Sequence, residues 1–140
     1  MSDDWVAQRT EAARVQAERL RARQDAVHQK AEALLHEFLP VVQEHGPAPE
    51  PLRVRGYGGR GDARTRLRGW YLRLDRTAAL GDDGSFYVLI APLSALDKVR
   101  GVHPEPARPP MVLGEGGKDG ESVELPVALE RVLPGWRKLA

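Results

Sequence analysis

Eight arginines lie between Arg53 and Arg76 against only two aspartates, Asp62 and Asp75, with glycine, tyrosine and tryptophan interleaved. The segment RVRGYGGRGDARTRLRGWYLRLDR therefore carries 8 − 2 = +6, in a chain that sums to +1. Guanidinium groups grip carboxylates and phosphates in two-pronged fashion and stack on aromatic rings, so such a concentration can mark an anion- or partner-binding face. The candidates are Arg53, Arg55, Tyr57, Arg60, Arg64, Arg66, Arg68, Tyr71 and Arg73. Tyr57 stands out because it sits in a glycine loop with little apolar company, the position of an exposed contact residue.

Other residue patterns offer less. The chain has no cysteine, which excludes disulfides, thiolate metal sites and cysteine nucleophiles. GEGGKDGES (114–122) lacks the spacing of a phosphate loop, since Asp119 follows Lys118 where serine or threonine is needed. Its Glu115, Asp119 and Glu121 match no complete cation-loop signature and read as a solvated loop. His28, His36, His45 and His103 show no i, i+4 pairing, and no serine or threonine sits in a nucleophile elbow. No cofactor, no metal and no catalytic activity are expected. Arginine outnumbers lysine 17 to 4, a ratio that high-GC coding of the bacterial kind also produces.

Positioning the arginines is the work of the surrounding elements. From Asp4 to about His45 the chain is free of glycine and dominated by helix formers, with Asp3 or Asp4 to cap it and Gly46 to end it. Pro40 should kink this helix or break its last turn. Its apolar stripe reads Ala13, Ala17, Leu20, Val27, Ala31, Leu34, Phe38 and Val41, with Leu20, Val27, Leu34 and Phe38 as interface candidates. Such a helix is longer than the remaining chain is wide, so part of it should project or pair, either as a solvated amphipathic helix or as a coiled-coil arm (residues 1–46).

A proline-rich linker (47–51) leads to a small sheet domain (52–140) whose pattern changes to period two. Leu52, Val54 and Leu67 point one way, which puts Arg53, Arg55, Arg64, Arg66 and Arg68 on the other face. The apolar phase then slips to Trp70, Leu72 and Leu74, as a β-bulge at Gly69 would produce, with Tyr71 and Arg73 continuing the arginine face. GDDG (81–84) is a hairpin turn, FYVLIA a central strand, 99–103 a further extended stretch, MVL a short strand, and VALERVL a short C-terminal helix.

The expected fold is α+β: a long N-terminal helix (about 4–45, kinked near Pro40) packed on or projecting from a 3–5-stranded, mostly antiparallel sheet, with a short C-terminal helix. The expected function is that of a non-enzymatic interaction or adaptor module, working through a protein partner or a homodimer. The alternative is a binder of nucleic acid or another polyanion. Like charges face one another in the sheet, so the arginines need acidic groups, solvent or a bound anion. The helix (residues 1–46, six basic and eight acidic) and the C-terminal part (77–140, seven basic and nine acidic) could supply the acid. With no apolar run of membrane length and an acidic start in place of a secretory signal, a cytoplasmic location without membrane partners is expected.

Overall fold

The computed structural model describes residues 2–114 and 122–140. Glu115, Asp119 and Glu121 lie outside the described residues. The architecture is α+β, as the sequence implies: a long helix, a five-stranded mixed sheet, a two-stranded sheet and short C-terminal helices.

Helix α1 (Ser2–His45) contains Pro40 and continues past it, and its last turn is closed by the Gly46 amide donating to the Val42 carbonyl at 2.9 Å. At 1.5 Å per residue it is about 66 Å long. Only its second half is covered. Ala31, Leu34, Leu35, Phe38, Val41 and Val42 are buried, whereas residues 3–27 are exposed apart from a half-buried Val15. The helix is thus both packed and projecting.

Strands β1 (Glu50–Gly56), β2 (Asp62–Tyr71), β3 (Ala78–Gly81), β4 (Phe86–Val88) and β5 (Ile90–Ala91) form the sheet in the order β4-β3-β2-β1-β5. All pairings are antiparallel except β1 with β5, which run parallel. The expected central strand FYVLIA supplies both edges: its first half pairs with β3 and its second with β1. Between them, Leu89 donates its N–H to Thr77 O (2.8 Å) and accepts from Arg55 N (2.8 Å). A segment apolar on both faces therefore closes the sheet on itself.

Closure creates two cores. Leu52, Val54, Ala79, Tyr87 and Leu89 form the inner one, with Leu67 and Tyr71 against it. Trp70, Leu72, Leu80 and Phe86 point outward into the second, which they share with α1 and with α3 (Leu125–Val132). The edge of Phe38 meets the Trp136 ring at 5.2 Å and 89°. Trp136 opens the short helix α4 (Trp136–Leu139).

These two cores correct the phase slip expected at Gly69. Gly69 pairs regularly with Glu50 and Gly81, and Leu67 and Trp70 belong to opposite faces. Glycine is required there for a different reason: a Cβ would lie 2.0 Å from the Leu80 carbonyl oxygen. The irregularity sits instead opposite Leu52, where the register shifts between Pro51 and Arg53. There the Thr65 hydroxyl donates to Leu52 O (2.7 Å) and accepts from Leu67 N (3.0 Å), replacing ladder bonds.

The stretch expected to be extended around 99–103 begins instead as helix: Val99 and Arg100 are the last residues of α2 (Ala95–Arg100), which a reciprocal capping box between Ser94 and Asp97 starts. MVL pairs as expected: β6 (Val112–Leu113) runs antiparallel to β7 (Val123–Glu124).

Candidate functional site

Two surfaces stand out once the fold is built: the outer face of β1 and β2, and the uncovered part of α1. On the strands, Arg53 lies opposite Arg64, and Arg55 opposite Asp62. Arg53, Arg55, Arg64, Arg66 and Arg68 are all exposed on the side away from the inner core. The alternation expected from the sequence is present.

Their neutralisation is uneven. Arg53 grips Asp62 through Nε and Nη2 at 3.0 and 2.9 Å, which holds the Asp62 carboxyl below its usual range and raises the guanidinium. Arg55 donates to the Asp75 carbonyl at 2.7 Å and Arg68 to the Pro49 carbonyl at 3.0 Å. Arg60, Arg64 and Arg66 form no ion pair among the described residues. The carboxylates of α1 do not reach this face: Glu11 and Glu18 hold Arg14, while Asp25 and Glu32 hold Arg108.

Tyr71 and Arg73 leave the arginine face. Tyr71 packs against the inner core and accepts the Arg53 N–H on its hydroxyl at 2.9 Å. Arg76 lies over its ring at 5.4 Å. Arg73 folds onto the turn before β3, donating to the Thr77 hydroxyl at 2.9 Å and meeting Asp75 at 3.3 Å. Both departures follow from the absence of a bulge at Gly69. Tyr57 is 56 % exposed in a 3-10 turn (Tyr57–Gly59), beside a depression that it shares with Arg60, Pro92 and Leu93.

Sequence reasoning missed the second half of the basic surface. Helix α2 lies beside β2 and brings Arg100 and His103 to Arg64 and Arg66, where they line a cavity of about 150 Å³. The Val102 amide donates to Arg64 O at 2.9 Å and fixes this approach. Gly101 permits it, with φ +88° and no room for a Cβ, which would stand 2.9 Å from the same carbonyl. The Ser94-x-x-Asp97 capping pattern was the signal that could have revealed the helix. Arg64, Arg66 and Arg100 are thus three arginines lining one small cavity.

On α1 the four interface candidates divide. Leu34 (8 % exposed) and Phe38 (0 %) are buried in the protein's own core and are not offered to another molecule. Leu20 (55 %) and Val27 (45 %) are bare, as are Trp5 and Val6. Arg9 covers the Trp5 ring at 4.8 Å.

Among the described residues no group of three or more histidines or carboxylates is placed to hold a metal ion. No helix among them is long and apolar enough to cross a membrane. Comparison with known proteins finds no family model, no curated protein and no solved structure that matches this chain.

Proposed function

We propose that the protein is a non-enzymatic interaction module, an adaptor whose sheet body holds out a helical arm for another helix to pack upon. The observation that carries this reading is the exposure of Trp5, Val6, Leu20 and Val27 along a helix whose later turns bury their apolar face. An exposed helix lacks the tertiary packing that gives most helices their stability, so a partner that covers the arm would stabilise it. A photo-crosslinking amino acid placed singly at Leu20, Val27, Glu11 or Glu18 tests the reading in the cells of origin. Crosslinks confined to positions 20 and 27 are expected. Crosslinks spread evenly around the helix, or none at all, overturn it.

A second reading rests on Arg60, Arg64, Arg66 and Arg100, which have no carboxylate partner among the described residues. In it the basic face binds a polyanion such as single-stranded nucleic acid. Affinity then falls steeply as salt rises, and Arg64→Glu with Arg66→Glu abolishes it. Absence of binding at low salt ends this reading.

A further inference from the structure

The arm's charge pattern identifies what kind of helix it fits, an inference that rests on the interaction reading above. Val6, Ala13, Leu20 and Val27 recur every seven residues, and Thr10, Ala17 and Gln24 follow four places after the first three. The same two rows continue as Leu34 and Val41, and as Ala31 and Phe38, all buried in the body. The seam that the fold covers from Ala31 onward therefore runs bare along the arm, in the heptad spacing of a coiled-coil strip.

Two rows flank that seam and would face the flanks of any partner helix. One holds Arg9, Gln16, Arg23 and Lys30; the other holds Ala7, Arg14, Arg21 and His28, of which Arg14 is paired with Glu11 and Glu18 and His28 meets the Pro109 carbonyl at 2.9 Å. Neither contains an acidic residue. The acids form a separate row, Glu11, Glu18, Asp25 and Glu32, turned away from the seam. That row is already engaged: Glu11 and Glu18 with Arg14, Asp25 and Glu32 with Arg108.

A second copy of this chain is a poor fit. Parallel pairing sets one flank against the other five residues on, bringing Arg9 to Arg14, Gln16 to Arg21 and Arg23 to His28, with no acid across the seam to meet the four arginines. Antiparallel pairing sets each flank against itself, again with no acid in either row. Flank charges decide partner choice and orientation in coiled coils, and like charges there act against the wrong partner. The arm's seam, with alanine, threonine and glutamine in most places, has little apolar area to overcome that repulsion.

We propose that the arm docks an amphipathic helix of a different protein, one whose apolar seam is flanked by glutamate or aspartate. The basic flanks exclude self-pairing and select this partner.

The test uses the full chain and two synthetic heptad peptides with the same leucine seam, one with glutamate and one with lysine at every flanking position. Light scattering with size exclusion is expected to show the chain alone as a monomer. Fluorescence anisotropy is expected to show the glutamate peptide binding at least about tenfold tighter than the lysine peptide, a gap near 1.4 kcal/mol that narrows with salt. Arg9→Glu, Arg21→Glu and Arg23→Glu together should reverse the preference while circular dichroism stays that of a folded body. Equal binding of both peptides, or binding of neither, overturns the proposal. So does a dimer that Leu20→Glu dissociates, but that result leaves the interaction reading standing, whereas loss of face-restricted crosslinks removes it.

Discussion

Helix α1 is one element with two environments. Its second half, from Ala31 to Val42, sits under a sheet and two short helices, whereas its first half is exposed as far as Asp25 and His28, which meet Arg108 and the Pro109 carbonyl. The apolar rows are continuous across the boundary, so periodicity alone does not separate them. Side-chain size does: Leu34, Leu35 and Phe38 fill the covered rows, while Ala13, Ala17 and Gln24 thin the exposed ones. The covered half derives its stability from tertiary burial. The exposed half relies on propensity and on ion pairs such as Arg14 with Glu11 and Glu18.

The largest effect that could break this contrast is at Phe38. Phe38→Ala should destabilise the protein by about 3–5 kcal/mol, read as a shift in the urea midpoint. Leu20→Ala in the other row of the same seam should shift it by less than about 0.5 kcal/mol. Comparable losses at the two sites would mean that the arm is part of the core.

Proline sharpens the boundary next. Ala17→Pro costs about 3 kcal/mol of local helix stability, yet the melting of the body should be unchanged while the far-ultraviolet helix signal drops. If the body melts earlier, the arm is coupled to it.

The halves should also answer pH from opposite ends. Burial and the hydrogen bond to Asp83 at 2.5 Å raise the Tyr87 hydroxyl. A raised group contributes stability that is present below its unfolded pKa, about 10, and lost as pH climbs through the folded value. The body should loosen in alkali, and Tyr87→Phe should flatten that limb. On the arm, the bond from Arg14 lowers Glu11. That contribution is present above the unfolded glutamate pKa, about 4.3, and lost on acidification. Helix signal should fray in acid without the body unfolding.

The smallest effect lies on the arginine face. Asp62→Asn releases Arg53 and should cost no more than about 1 kcal/mol in stability. It should nevertheless raise affinity for single-stranded nucleic acid if the polyanion reading holds, as measured by the salt-dependent binding assay.

Much of this arrangement was legible from residues 2–56. The glycine-free run predicts α1 within two residues of its observed start, and alternation from Leu52 places five arginines on one face. Gly69 was not legible. A change of apolar phase inside a strand can mean a bulge, or it can mean that a different face becomes covered. The choice depends on α1 and α3, both distant in sequence. Nor was the basic cavity legible, because Arg100 and His103 come to Arg64 only through the α2 crossing. Asp62 was visible as an acid among arginines, but its bidentate hold on Arg53 depends on register.

Leu89 carries a consequence for how this molecule can meet others. With its N–H on Thr77, just before β3, and its carbonyl on Arg55 of β1, this residue joins β4 to β5, so that both borders of the strand order fall on one short stretch of chain, residues 86–91. Many interaction domains recruit an extended peptide as one more strand along such a border. Here the borders are only three and two residues long, β4 and β5, and Phe86 is already bridged to Ala107. Edges this short offer an incoming strand little to extend.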